Sequence, residues 1–137
     1  MVTPVVNWTG GEQRRARLEA ELQRIVAQLP RLGVSKAILF GSLASGNVGQ
    51  TSDVDLILVT PSEERFTRRL EHFYRVLNPS VGLDLFVYTP EEFRLMRDSN
   101  PFLRSAIARG EVVYEGGQVT AKRGRGQWVR RAKTTAL

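Results

Sequence analysis

The spacing of apolar residues predicts alternating helices and strands along most of the chain. From Glu12 to Leu29 the apolar positions recur at offsets of 4, 7, 8 and 11, which is the stripe of an amphipathic helix. Three later apolar runs have the length of buried strands: Lys36 to Phe40, Val54 to Val59, and Leu83 to Tyr88. The chain is therefore expected to start with a helix and to contain at least three strands.

Two threonines carry the signature of a helix start. Thr60 is followed three residues later by Glu63, and Thr89 by Glu92, with proline at the first helical position each time. In such a capping box, the threonine hydroxyl and the glutamate carboxylate each accept a hydrogen bond from a free backbone N–H group. We therefore predict helices that begin directly after Thr60 and Thr89, the first of which buries apolar residues between Phe66 and Leu77.

The last part of the folded region continues this alternation. Asn100 and Pro101 predict the start of a helix that runs through Arg109, and residues 111–114 have the composition of a closing strand. If a short helix follows Gly41, the predicted order is a helix followed by a strand, repeated four times.

Composition limits the kinds of site that the chain can contain. A chain of 137 residues with 42% hydrophobic residues fits one domain. It has no cysteine and one histidine, which excludes disulfides, thiolate metal sites and imidazole clusters, so that any metal ion must be bound by oxygen. No apolar stretch has the length of a membrane span, and the N-terminus has no targeting pattern, so a cytoplasmic protein without membrane contact is expected.

The net charge of +6 is concentrated at the C-terminus. Every acidic residue precedes Gly116, and six cations follow Gly117. We expect a flexible arm over residues 1–11, a folded domain over residues 12–117, and a basic, disordered tail over residues 118–137. Two roles for the tail stay open: it keeps the protein soluble, or its cations bind nucleic acid phosphates while Trp128 stacks on a base.

The candidate chemistry lies where two predicted strands begin or end. Gly41 and Ser42 directly follow the first strand, where a glycine lets backbone amides approach a phosphate and a hydroxyl can bond to it. Asp53 and Asp55 alternate at the start of the second strand, so their side chains project from the same face. Asp84 interrupts the third apolar run, and a carboxylate buried there needs a partner or a metal ion.

Each of these features has a simpler explanation when it is taken alone. A glycine–serine turn after a strand is common, and two alternating aspartates can lie on a solvated edge strand. Asp84 can be a surface residue of a half-exposed strand. The combination is less expected by chance, because one sheet must bring all three features together.

These residues resemble a known family. The pattern Gly41-Ser42, then Ser52-Asp53-Val54-Asp55-Leu56, then the isolated Asp84, is similar to that of the nucleotidyltransferase superfamily, which includes DNA polymerase beta and kanamycin nucleotidyltransferase. The similarity extends over about residues 12–115 and is greatest to the small, stand-alone minimal nucleotidyltransferases.

The resemblance implies both a fold and a reaction. The fold would be α/β, with a mixed sheet of about four strands flanked by helices. The reaction would transfer a nucleoside monophosphate from a nucleoside triphosphate, with ATP expected, to an acceptor hydroxyl. Gly41 and Ser42 would bind the β and γ phosphates, Asp53 and Asp55 would bridge two Mg²⁺ ions, and Asp84 would complete one metal site and act as the base.

Two further expectations follow from the resemblance. Many small members have arginine where this chain has Ser45, so Arg65, Arg68 or Arg69 is expected either to compensate or to lie on a solvated helix face. Small members also pair with a helical partner, a HEPN-type toxin, and this chain would then be the antitoxin. The alternative is a module that keeps the fold and neutralises its partner by contact alone.

Overall fold

A mixed sheet with helices on both faces forms the part of the chain that the structure describes. This computed structural model describes residues 8–116, 118–123 and 127–130. The elements are α1 (Trp8–Gln28), β1 (Lys36–Phe40), α2 (Gly41–Ser45), β2 (Val54–Val59), α3 (Phe66–Leu77), β3 (Leu83–Tyr88), α4 (Pro90–Met96), α5 (Pro101–Arg109), β4 (Glu111–Glu115), β5 (Gln118–Arg123) and β6 (Gln127–Arg130). No helix among the described residues is long and apolar enough to cross a membrane.

The strands lie in the order β3-β2-β1-β4-β5-β6. The pair β2 and β3 is parallel, and the other described pairs are antiparallel. The chain leaves β2, passes through α3 and returns as β3, which is the crossover that a parallel pair requires. The first four strands confirm the predicted mixed sheet flanked by helices, and β5 and β6 extend it.

The two faces of the sheet are covered by different helices. On one face, residues of α1 and α3 form a core with Leu56 and Leu58 of β2. On the other face, Ile57 and Val59 pack with residues of α4 and α5. Because strand side chains alternate, Asp55 lies on the same face as Ile57, which is the face that α5 covers. The face of the candidate site is thus fixed by the alternation within β2.

Only one of the two predicted capping boxes forms. At the start of α4, the Thr89 side chain accepts a bond from the Glu92 N–H, and the Glu92 carboxylate accepts one from the Thr89 N–H. The prediction at Thr60 is wrong, because α3 begins at Phe66. Thr60 is buried, its N–H group bonds to the Tyr88 carbonyl at 2.9 Å, and its hydroxyl donates to Gly33. The bond to Tyr88 continues the pairing of β2 with β3 by one residue. Thr60 therefore belongs to the end of the sheet, and the helix begins later, at Phe66.

Both predicted ends of the folded domain differ from the structure. Helix α1 begins at Trp8, so residues 8–11 belong to the helix and not to an arm. Residues 118–123 and 127–130, which were expected to be disordered, form β5 and β6. Without β5 the open edge of β4 would expose unpaired backbone groups, and pairing covers it. The predicted nucleic-acid role of this basic segment stays a prediction. The remaining residues of the two predicted terminal segments lie outside the described part of the chain.

A buried carboxylate connects α1 to the segment between α3 and β3. Glu21 is 5% exposed and accepts two 2.7 Å bonds from the Arg24 guanidinium and one 2.7 Å bond from the Ser80 N–H. Arg24 also donates to the carbonyl of Leu77, the last residue of α3. The hydrogen bonds from Arg24 lower the pKa of Glu21 from 4.5 to about 2. The ionised form of Glu21 therefore stabilises the folded protein.

Glu21→Gln is expected to lower the free energy of unfolding by about 2 kcal/mol at neutral pH, because the amide cannot accept all three bonds. Since folding depresses the pKa of Glu21, the contribution of ionised Glu21 to the free energy of unfolding is fully present above pH 4.5. It is lost as the pH falls through about 2. Urea unfolding over this range should show the difference between wild type and variant shrinking in acid. Glu12→Gln, at an exposed position of α1, is the control and should show no such pH dependence. An equal deficit at every pH would contradict the assignment.

Candidate functional site

The structure brings Asp55 and Asp84 together on adjacent strands. The parallel register of β2 and β3 pairs Asp55 directly with Asp84, so the two side chains are close enough to interact. On its other side, Asp55 is paired with Phe40, the last residue of β1. Asp55 is partly buried, whereas Asp84 is exposed. The pair therefore lies at the end of the sheet, where a ligand can reach it from solvent.

The carboxylates of the site repel one another. Partial burial, the hydrogen bond with Asp84 and the charges of Asp84 and Asp53 raise the pKa of Asp55 from 3.8 to about 7. A substantial fraction of Asp55 therefore carries a proton at neutral pH. A bound cation would relieve this repulsion and favour the fully ionised pair.

Asp53 lies beside this pair but has a different neighbour. The Arg14 guanidinium of α1 approaches the Asp53 carboxylate at 3.4 Å and donates a 2.9 Å bond from Nε to the Ser52 carbonyl. A Cβ atom added to Gly82 would collide with the Asp53 carboxylate, so a larger residue there would force this side chain to move. Asp53 is thus held between α1 and the residue that precedes β3.

The turn at Gly41 is built around the Asp55 carboxylate. Gly41 has φ +75°, a conformation that side chains other than glycine rarely adopt, and an added Cβ would collide with the carboxyl group of Asp55. The short helix α2 follows, with Leu43 buried and Ser42 half-buried. The predicted phosphate residues Gly41 and Ser42 therefore lie next to the predicted metal ligand Asp55.

The donor set of this site suits a hard divalent cation. Asp55 and Asp84 offer adjacent carboxylate oxygens, and Mg²⁺ is usually bound by one or two carboxylates together with substrate phosphates. Among the described residues, no three acidic or histidine side chains are arranged as a ready metal site. Asp53 would have to turn from Arg14 to join the pair. A bridging role for Asp53 stays a prediction.

The arginines expected to compensate for Ser45 do not lie at the site. Arg69 is buried rather than solvated, and it forms a bidentate pair with Glu92 at 2.8 and 2.9 Å, which connects α3 to α4. It also donates to the carbonyl of Val87, near the opposite end of β3 from Asp84. Arg65 and Arg68 are exposed, as expected of a solvated helix face.

Residues from distant parts of the chain complete the site and were missed in the sequence. Arg15 donates to the Gly46 carbonyl at the end of α2, so α1 supplies a cation next to Ser45. Arg14 and Gly82 contact Asp53, as described above. Phe102 of α5 joins the site face as well, with its ring centroid 5.3 Å from that of Phe40. No local pattern indicated these contacts, because each joins segments far apart in the sequence.

Comparisons with known proteins identify a family and a shared fold. Residues 19–114 match the family described as nucleotidyltransferase domain. Comparison with curated proteins found no match. A crystal structure assigned as a nucleotidyltransferase from Sulfolobus solfataricus is similar, with a TM-score of 0.56 and 16% identity over 77% of this chain and 87% of that one. A mutant of the toxin–antitoxin MntA-HpeT aligns with a TM-score of 0.41 and 18% identity, over 71% of this chain and 72% of that one. The first likeness shows a shared fold.

Proposed function

Because the chain belongs to the nucleotidyltransferase domain family, we propose that it transfers a nucleoside monophosphate from a nucleoside triphosphate, with ATP expected, to an acceptor hydroxyl. The observation that carries this proposal is the contact between the Gly41 turn and Asp55, whose carboxylate is paired with Asp84. A phosphate-binding turn and a carboxylate pair are thereby adjacent, as the transfer requires.

The roles of the residues follow from their positions. Gly41 and Ser42 bind the β and γ phosphates, because the glycine lets the backbone approach them closely. Asp55 and Asp84 hold a divalent cation, with Mg²⁺ expected, and Asp53 joins them once it leaves Arg14. When bound, two such ions would stabilise the charge on the attacking and leaving oxygens.

The reaction proceeds by in-line displacement at the α phosphorus. The acceptor oxygen forms a bond to this phosphorus, and the bond from the phosphorus to the oxygen that leads to the β phosphate breaks, which releases pyrophosphate. The proton of the acceptor hydroxyl passes to the Asp84 carboxylate, which is exposed and can contact an incoming acceptor.

The acceptor is proposed to be a hydroxyl on a partner macromolecule. Asp84 is exposed and the Asp53 side chain is 42% exposed, so the described residues leave the site open to a large molecule. In this proposal the chain acts as an antitoxin that modifies a helical toxin partner of the HEPN type. The alternative, neutralisation by contact alone, predicts that the double variant Asp53→Ala, Asp55→Ala keeps its protective effect.

Transfer is tested with nucleoside triphosphates labelled at the α phosphate. We expect the protein, with Mg²⁺ and a lysate of its host, to move label from ATP into a macromolecule, and we expect chelation by EDTA to stop incorporation. Asp98→Asn, at an exposed position outside the site, is the control and should keep full activity. No incorporation from any of the four nucleotides into protein, RNA or small molecules would contradict catalysis.

A further inference from the structure

A cavity of about 490 Å³ lies between α2 and α5, beside the phosphate turn. Its lining includes Gly41 and Asn47 on one side and Ser105 and Arg109 of α5 on another. Gly41 also belongs to the proposed phosphate site. A molecule whose phosphates lie at Gly41 can therefore extend into this cavity without crossing the protein.

Aromatic rings form the apolar part of this cavity. Phe40 and Phe102 line it, and their ring centroids lie 5.3 Å apart with the rings nearly perpendicular. Behind them, Phe86 contacts both rings, with centroids 6.0 Å from Phe40 and 4.8 Å from Phe102. The three rings support one another, so Phe102 is held in place at the start of α5.

Phe102 is unusual because it remains exposed. Among the described residues, only Leu95 and Phe102 are exposed large hydrophobic side chains, and Phe102 is 36% exposed. An aromatic ring left open at the wall of a cavity offers its face for stacking to another planar group. Asn47, Ser105 and Arg109 add hydrogen-bond donors and acceptors of the kinds that bind the edge of a base.

We infer that this cavity binds the base of the donor nucleotide, with the base stacked on Phe102 and its edge facing Asn47 and Ser105. The inference rests on the proposed function, since it places the base by reference to phosphates at Gly41. Continuity between the phosphate turn and the cavity favours the donor base over an aromatic group of the acceptor. Phe102, Asn47 and Ser105 then contribute to affinity for the base and not to affinity for the phosphates.

Binding of two ligands by the full-length protein separates base from phosphates. With Mg²⁺ present, calorimetry is used to measure the Kd of ATP and of inorganic tripolyphosphate for wild type and variants. Phe102→Ala should weaken ATP binding about tenfold and leave tripolyphosphate binding unchanged. Phe102→Leu, which keeps apolar contact with Phe40 and Phe86 but lacks an aromatic face, should also weaken ATP binding. Phe102→Trp should retain it.

Leu95→Ala is the control, because Leu95 is the other exposed large hydrophobic residue and lies on α4, away from the cavity lining. It should change neither Kd. Unchanged ATP affinity in Phe102→Ala and Phe102→Leu would overturn the inference, as would an equal loss for ATP and tripolyphosphate. If Phe102→Ala needed a higher concentration of acceptor for transfer but bound ATP normally, Phe102 would contact the acceptor and not the donor base, and the inference would be wrong. If the wild-type protein binds ATP and tripolyphosphate equally tightly, the base site is contradicted but the phosphate site is not. If it binds neither ligand, the proposed function is contradicted as well.

Discussion

Asp55→Asn is expected to abolish nucleotide transfer and, at the same time, to make the metal-free protein more stable above neutral pH. The loss of activity should be at least about 10²- to 10³-fold, because an uncharged amide cannot replace a carboxylate that holds a cation at the transferring phosphate. Activity and stability change in opposite directions because the same negative charge serves the reaction and strains the fold.

The stability effect follows from the direction of the pKa shift. The pKa of Asp55 is raised to about 7 in the folded protein, so ionising it costs more there than in the unfolded chain. The stability that protonated Asp55 contributes is therefore fully present below pH 3.8 and is lost as the pH rises through about 7. The full shift would correspond to about 4 kcal/mol, and screening of this partly exposed site reduces our expectation to about 1 to 2 kcal/mol. The asparagine variant does not pay this cost at any pH.

Thermal unfolding with and without Mg²⁺ checks both parts of this prediction. Without metal, Asp55→Asn should melt above wild type at alkaline pH, and the two melting temperatures should converge in acid. Adding Mg²⁺ should raise the melting temperature of wild type alone, since only the ionised pair binds the cation strongly. Asp98→Asn, which is exposed and outside the site, should behave as wild type. A variant less stable than wild type at alkaline pH would contradict the strained-pair explanation.

The parts of the site that were predictable from the sequence are those encoded within single strands. The bounds of β1, β2 and β3 agree with the apolar runs, because buried strands need continuous apolar residues. Alternation along the second predicted strand was expected to put Asp53 and Asp55 on one face, but β2 begins at Val54, and Asp53 lies before it with Arg14 of α1 beside its carboxylate. The sequence also indicated Asp84 as an isolated carboxylate, and the parallel register brings it next to Asp55.

The parts that were not predictable depend on contacts between distant segments. Arg14 reaches Asp53 across 39 positions of sequence, and no periodic pattern records such a pair. Thr60 is a second example. Its sequence context favours a helix cap, but in the structure its N–H group bonds to the carbonyl of Tyr88 at the end of the sheet. The strands β5 and β6 were hidden by their basic composition, although Gly116 and Gly117 before them are typical of a tight hairpin.

Gly41→Ala is expected to remove most of the transfer activity for a reason that can be separated from its effect on stability. Alanine at φ +75° costs about 1 to 2 kcal/mol of folding free energy wherever it occurs. At this position the new Cβ would also displace the Asp55 carboxylate. Because a shift of about 1 Å in a catalytic group can cost about 10²-fold in rate, activity should fall at least that far.

Gly33→Ala is the matched control for this substitution. Gly33 has φ +79°, nearly the same as Gly41, but nothing lies within 4 Å of an added Cβ, and it precedes β1 at the end opposite Gly41. Both variants should lose similar stability in urea unfolding, yet only Gly41→Ala should lose transfer activity and Mg²⁺-dependent stabilisation. If Gly33→Ala were equally inactive, backbone strain rather than displacement of Asp55 would explain the loss. Since the two glycines share a backbone conformation, any difference in activity between the variants measures the contact between the phosphate turn and the carboxylate pair.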